Sequence, residues 1–163
     1  MMNDVITLRK PKAEDGMDLF ELVERCPPLD PNSSYCNLLH CSHFAETGVA
    51  ATRNDRLVGF VSGYLKPSTS DVWFVWQVAV DAEARGCGLA KRMLKSVLER
   101  QNLTNVKYIE TTITLDNKAS WGLFKSLAKE LNAAIEEEPF FDEQKHFKGK
   151  HNTEYLVRIG PFS

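Results

Sequence analysis

The stretch Arg85-Gly86-Cys87-Gly88-Leu89-Ala90 decides the fold of this chain. It follows the long apolar run V-W-F-V-W-Q-V-A-V at 72–80, which is typical of a buried strand, and it precedes a predicted helix at 89–101. The two glycines permit positive φ and close backbone approach. The unpaired N–H groups and the dipole of a helix start bind phosphate. An ordinary glycine-containing helix start is the alternative, since the stretch is neither a Walker A loop nor a complete dinucleotide fingerprint.

The same string resembles the [Q/R]-x-x-G-x-[G/A] motif of the GNAT superfamily of N-acetyltransferases, with Arg85, Gly88 and Ala90 at its fixed positions. A second stretch, 116–124, resembles the N-x-x-A-x-x-L-Y segment of that superfamily, beginning at Asn117. The resemblance implies an α+β fold, formed by residues 1–163 as a single domain. Its central, mostly antiparallel mixed sheet would contain a splayed strand pair and be flanked by helices.

The resemblance also implies a binding site for acetyl-CoA. In the superfamily the turn holds the pyrophosphate, the strand before it pairs with pantetheine, and the Asn contacts the pantetheine arm. The cofactor-binding residues implied here are Gln77, Val78, Ala79, Val80, Arg85, Gly86, Cys87, Gly88, Leu89, Ala90, Asn117, Ser120 and Phe124.

One departure from the superfamily pattern bears on the mechanism. Phe124 stands where many members carry a Tyr that donates a proton to the leaving thiolate, and phenylalanine cannot donate a proton. A thiol has a pKa near ~8.5, so the thiolate leaves without an essential acid. Tyr35 is a second candidate for the acid.

The segment at 26–37, C-P-P-L-D-P-N-S-S-Y-C-N, lies where GNAT enzymes usually place the loop that binds the acceptor. Its prolines stiffen it. Asp30 in this loop is either a partner for a cationic substrate or a turn residue bonded to its own backbone. Trp76 is either a core residue or an aromatic wall that attracts an ammonium ion.

The run P-P-L-D-x-N-S-x-Y-x-N-L-L at 27–39 and the run W-Q-V-A-V-D at 76–81 resemble the L-2,4-diaminobutyrate acetyltransferases of ectoine biosynthesis. The resemblance implies transfer of acetyl from acetyl-CoA to the γ-amine of L-2,4-diaminobutyrate. We expect this transfer to be direct, in a ternary complex, because the lone pair of the deprotonated amine can attack the thioester itself. The residues favoured for the substrate are Asp30, Glu154, Trp76, Asn37 and Ser33, with Arg158 as a further candidate for its carboxylate. The residues favoured for proton transfer are Glu154, His151 and Tyr35.

Two other chemistries are less favoured. Cys87 could be a covalent nucleophile, because thiol pKa values fall at helix N-termini, but the phosphates should occupy that turn. Cys36, His40 and His43 share a helix face beside Cys41, yet no paired C-x-x-C accompanies them. The sequence therefore predicts no metal. The rival functions are acetylation of another small diamine or of a protein amine, and a non-catalytic CoA-binding module.

The composition excludes some classes of function. The 163 residues carry 20 Lys and Arg against 22 Asp and Glu, a net charge of −2, which argues against binding nucleic acid or an anionic membrane surface. Four cysteines and the absence of an apolar signal core lead us to expect a cytoplasmic protein. The resemblance implies a homodimer.

Hydrophobic periodicity and turn residues predict the remaining elements. Strands are expected at 5–9, 48–53, 57–65, 72–80, 107–115, 134–139 and 155–159, and helices at 13–25, from the capping residues 32–34 to about 43, 89–101 and 117–131.

Overall fold

The computed structural model describes residues 5–162. Its strands are β1 (Thr7–Arg9), β2 (Val49–Arg53), β3 (Arg56–Leu65), β4 (Val72–Val80), β5 (Tyr108–Ile113), β6 (Ile135–Phe141) and β7 (Glu154–Ile159). Its α-helices are α1 (Gly16–Glu24), α2 (Ser34–Cys41), α3 (Leu89–Leu98) and α4 (Lys118–Glu130). The strands form one sheet in the order β1-β2-β3-β4-β5-β7-β6. This architecture confirms the α+β fold predicted from the sequence.

The sheet is mixed, with a parallel pair at its centre. The pairs β1–β2, β2–β3, β5–β7 and β6–β7 are antiparallel, whereas β4 and β5 are parallel. The parallel register covers Val72–Phe74 and Tyr108–Glu110, while β4 runs on to Val80 and β5 to Ile113. A short pairing between two longer strands is the expected form of the splayed pair.

The first of two compact units contains the described residues up to 64 together with 75–105. Its core is formed by residues of α1, α2, β2, β3 and β4 together with Cys26 of the loop after α1, namely Leu19, Leu22, Val23, Cys26, Cys41, Ala50, Leu57, Phe60 and Ala79. Leu29 packs against this cluster from the acceptor loop. Gly16 lets α1 approach α2 closely, because a Cβ at this position would lie 2.5 Å from Leu38 Cδ2.

The second unit contains residues 65–74 and those from 106 onward. A carboxylate is buried in it: Glu110 on β5 is 1% exposed, and it binds Lys66 Nζ and Arg158 Nη1, each at 3.1 Å. The Arg158 guanidinium also stacks on Tyr108, 3.9 Å from the ring centroid. Arg158, a candidate partner for the substrate carboxylate, is therefore engaged within its own unit.

Several predicted boundaries were wrong by a few residues. The first strand begins at Thr7, and the helix expected at 13–25 starts as the 3-10 turn Ala13–Asp15 before α1. The helices expected to reach 43 and 101 end at Cys41 and Leu98. The strand expected to end at 139 continues to Phe141, since β6 is the last strand of the sheet and tolerates a proline that cannot donate.

Candidate functional site

The glycine turn between β4 and α3 has the geometry that binds an anion. Gly86 and Gly88 have φ values of 86° and 74°, which L side chains rarely adopt. Gly88 is the N-cap of α3 and supplies no side-chain cap, so the first N–H groups of this ten-residue helix are available to a ligand. Residues 85–88 are exposed, and a Cβ at either glycine would meet no atom of the described chain within 4 Å. A pyrophosphate fits these features.

Asp81 anchors the turn where β4 ends. Its carboxylate is 6% exposed and binds Arg25 Nη2 at 3.0 Å and Arg56 Nη2 at 3.3 Å, while Glu83 N–H donates to it. Burial alone would raise the pKa of Asp81, but these hydrogen bonds and charges outweigh it and hold the pKa below its usual value. Arg85 Nε donates to Val80 O at 3.0 Å, which ties the turn back to the strand.

The acceptor loop is held against β4 by one side chain. Gln77 Nε2 donates to Asp30 O at 2.8 Å, and Gln77 Oε1 accepts from Asn32 Nδ2 at 3.0 Å. Cys26 Sγ donates to Val80 O at 3.4 Å at the start of the loop. The structure therefore brings Asp30 together with the strand that leads to the glycine turn, and it leaves the Asp30 residue exposed.

The two tryptophans of β4 have different surroundings. Trp73 is fully buried, as a core residue would be, whereas Trp76 is 43% exposed. The Trp76 ring lies 4.4 Å from the ring of His40 on α2, and His40 lies 5.6 Å from Phe44. An indole backed on one side and open on another is not a core residue, and its role as an aromatic wall for an ammonium ion stays a prediction.

Burial keeps the His40 ring neutral. The side chain is 3% exposed, and burial lowers its pKa from 6.5 to about 4. In this pH range His40 binds a proton in the unfolded chain but not in the folded chain. The free energy of unfolding should therefore fall as pH drops from 6.5 towards 4. The loss should amount to a few kcal/mol, since one pKa unit corresponds to about 1.4 kcal/mol.

Replacing His40 with Gln should remove that part of the acid sensitivity. Denaturant unfolding at pH values from 7 to 4 would measure it, with His43→Gln, an exposed histidine just beyond the same helix, as the matched control. Equal pH dependence in wild type and His40→Gln would contradict the assignment.

The other candidates on the acceptor loop and α2 differ in their roles. Ser33 Oγ accepts from Cys36 N at 3.0 Å and is the N-cap of α2. Asn37 is 1% exposed, and its Nδ2 has no hydrogen-bond partner among the described residues. Tyr35 is 71% exposed on the first turn of the helix. Asn37 is thus the one of these three that offers a buried donor.

The segment after β5 forms a capped helix start. Asn117 is the N-cap of α4, and its Oδ1 accepts from Ser120 N at 3.2 Å. Trp121 Nε1 donates to Thr114 O at 3.0 Å and fixes the same turn. The Phe124 side chain is 3% exposed, so it is a core residue of its unit. Cofactor contacts of Asn117, Ser120 and Phe124 stay predictions.

His151 lies three residues before β7, and Glu154 begins that strand. Glu154 is the first residue of β7 and is partly buried, with Phe141 of β6 as its register partner. His151 Nδ1 lies 2.7 Å from Asn152 O. Since a carbonyl oxygen only accepts, Nδ1 is the donor in this contact.

Sequence reasoning missed the side chains that hold the site in place. Asn32, His40 and Asp81 were not among the expected site residues, and Gln77 was expected to act through its backbone. Three prolines leave this loop with few backbone N–H donors, so a side chain has to hold it in place. That signal could have pointed to Asn32. Nothing in the local sequence identifies Gln77 as their partner.

Residues 5–162 contain no group of three or more His, Cys, Asp or Glu side chains placed to hold a metal ion. Within the same range, no helix is long and apolar enough to cross a membrane. Cys87, the alternative nucleophile, is exposed and donates its Sγ–H to Ala84 O at 3.2 Å.

The chain is similar in sequence to known acetyltransferases. The model of the acetyltransferase (GNAT) family matches residues 16–128. The L-2,4-diaminobutyric acid acetyltransferase of Methylotuvimicrobium alcaliphilum is 56% identical over 97% of this chain and 92% of its own length. The protein of the same name from Vibrio cholerae is 50% identical over 93% of this chain and 87% of its own length.

Solved structures give the same relation. The diaminobutyrate acetyltransferase EctA from Paenibacillus lautus, in complex with its substrate L-2,4-diaminobutyric acid and coenzyme A, superposes with a TM-score of 0.94. It is 34% identical, and the match covers 99% of this chain and 98% of that one. Arabidopsis thaliana Naa50, 19% identical with a TM-score of 0.72 over 94% of this chain and 97% of its own, shares the fold. The chain therefore belongs to the acetyltransferase (GNAT) family and, within it, to the L-2,4-diaminobutyric acid acetyltransferases.

Proposed function

We propose that this chain transfers an acetyl group from acetyl-CoA to the γ-amine of L-2,4-diaminobutyrate. The observation that carries the proposal is that β4 connects the two candidate binding regions. The strand contains Trp76 and the Gln77 that holds the acceptor loop, and it leads into the glycine turn that we assign to phosphate binding. The names of relatives at 50 to 56% identity support the same substrates.

The substrate has two ammonium groups and one carboxylate, and the candidate residues match this pattern. Asp30 supplies a carboxylate for an ammonium group, and the exposed face of Trp76 attracts a cation. Asn37 supplies the donor for the carboxylate, because its Nδ2 is buried without a partner among the described residues. Ser33 contributes by beginning the helix on which Asn37 lies.

The reaction begins with loss of a proton from the amine, since its lone pair is the nucleophile. An alkyl ammonium has a pKa near ~10, so a group of the protein must take the proton at neutral pH. Glu154 and His151 Nε2 are the candidates for this step. Backbone N–H groups of β4 stabilise the negative charge on the thioester oxygen during attack. The transfer is direct, without an acetyl group on Cys87.

Residues 77–80 and 85–90 hold the acetyl-CoA, with Asn117, Ser120 and Phe124 as the further contacts implied by the superfamily pattern. The thiolate leaves unaided or takes a proton from Tyr35. The chain functions in ectoine biosynthesis as a single GNAT domain, in the cytoplasm, and as a homodimer. Light scattering during gel filtration tests the oligomeric state.

The deciding experiment measures thiol release from acetyl-CoA with four amines: diaminobutyrate, ornithine, lysine and a polyamine. Diaminobutyrate should give the highest kcat/KM, and NMR of the product should show acetylation at the γ-nitrogen. A higher kcat/KM with another amine would transfer the assignment to that amine. Tight CoA binding without thiol release for any of them would support a non-catalytic CoA-binding module.

A further inference from the structure

The Gln77 side chain is built into the acceptor loop on both of its polar atoms. Its Nε2 donates to Asp30 O, and its Oε1 accepts from Asn32 Nδ2, at 2.8 Å and 3.0 Å. This arrangement permits one orientation of the amide only. A rotation by 180° would set Oε1 against the Asp30 carbonyl oxygen and Nε2 against the Asn32 amide nitrogen, which places two acceptors and two donors face to face.

These two bonds hold the middle of a segment whose ends are fixed independently. At the beginning, Cys26 is buried in the core and its Sγ donates to Val80 O. At the end, Ser33 caps α2. Between them, Pro31 has no N–H to donate. The Gln77 amide therefore gives residues 30–32 a fixed distance from β4.

The position of Gln77 on β4 relates this loop to the aromatic wall. Gln77 follows Trp76 directly in the strand, and the Trp76 ring packs on His40 of α2, the helix that follows the loop. One pair of consecutive strand residues thus contacts both the loop that carries Asp30 and the helix behind it. A change at Gln77 would alter the distance between the Asp30 carboxylate and the indole.

We propose that Gln77 is a positioning residue, which fixes Asp30 relative to Trp76 so that both engage the ammonium group of the amine substrate. The proposal rests on the proposed function, and it adds a side-chain role to the backbone role of Gln77 in cofactor binding. Because the side chain acts on the amine site, its loss should affect the amine and spare acetyl-CoA.

The test uses Gln77→Leu, which removes both bonds at similar volume, together with Asn32→Leu and the double variant. Gln77→Leu should raise the KM for diaminobutyrate about tenfold, since two neutral hydrogen bonds are lost. The KM for acetyl-CoA should stay within about twofold. The double variant should be no worse than Gln77→Leu alone, because both single changes break the same contact.

Two further readouts separate positioning from a general loss of stability. Hydrogen exchange of the amides of Leu29, Asp30, Asn32 and Ser33 should accelerate in Gln77→Leu while amides of α3 keep their protection. The kcat/KM ratio of diaminobutyrate to ornithine should fall, because a looser loop discriminates less between amines of different length. Asn102→Leu is the matched control: Asn102 Nδ2 also donates to a backbone carbonyl, that of Glu46 at 3.2 Å, outside the acceptor loop.

The outcomes distinguish this proposal from the proposed function. If wild type does not acetylate diaminobutyrate, the proposed function fails and the proposal fails with it. If wild type does, and Gln77→Leu keeps the wild-type KM for the amine or raises only the KM for acetyl-CoA, the positioning role alone is overturned.

Discussion

Replacing Asp30 with Asn should lower kcat/KM for diaminobutyrate by between about tenfold and a hundredfold. A hydrogen bond to a charged group contributes about 1.5–3 kcal/mol, and Asn keeps the shape while it removes the charge. The loop should stay in place, since Gln77 binds the Asp30 carbonyl oxygen, which the substitution leaves intact. Steady-state kinetics with each substrate varied in turn would measure the effect, which should fall on the amine alone.

The matched control for this experiment is Asp55→Asn. Asp55 lies in the turn between β2 and β3 at a φ of 64°, a conformation that Asn adopts readily. The control makes the same change of net charge in the same unit, away from the acceptor loop. If both variants keep wild-type kinetics, Asp30 is a turn residue and the substrate ammonium binds elsewhere.

Replacing Gly88 with Ala should raise the KM for acetyl-CoA by about a hundredfold. At a φ of 74° an L residue costs about 1–2 kcal/mol, and relief of that strain would turn the N–H groups of the α3 start away from the phosphates. The added methyl group would also project into the open space beside the turn, where no atom of the described chain lies within 4 Å of it, and would crowd a pyrophosphate bound there. Isothermal titration with CoA would report binding separately from turnover.

Gly149→Ala controls for the strain itself. Gly149 has a φ of 79°, and the nearest atoms to an added Cβ, on Gln144, lie 3.8 Å away. It should lose a similar amount of stability and keep its affinity for CoA. A Gly88→Ala variant that binds CoA as wild type does would place the pyrophosphate outside this turn.

The sequence predicted those parts of the structure that depend on short-range patterns. The run at 72–80 forms a strand with the predicted limits, because its apolar length and the glycines after it leave no other element. The helix ends were predicted less accurately, because packing and the following turn decide that α2 ends at Cys41 and α3 at Leu98. Both motifs of the GNAT superfamily lie at strand-to-helix connections, where backbone geometry follows directly from residue type.

The candidate site was predictable in its residues and less so in their contacts. Asp30 and Trp76 could be named because a carboxylate in a rigid loop and a large aromatic ring have few functions. That Gln77 binds Asp30 across 47 positions of chain could not be inferred, since one sequence contains no information on which distant amides meet. Arg158 is the opposite case. Its charge made it a candidate partner for the substrate carboxylate, but in the structure its guanidinium binds Glu110 and stacks on Tyr108.

The last strand of the sheet, β6, has consequences for how the protein behaves in concentrated solution. β7 is its neighbour on one side, and its sequence, Ile-Glu-Glu-Glu-Pro-Phe-Phe, places three exposed carboxylates and a proline along the outer edge. An incoming strand from another molecule would meet like charges and a missing donor. The exposed Phe140 and Phe141 alone would favour association of this edge with another molecule. We expect the charges of Glu136, Glu137 and Glu138 to oppose such aggregation.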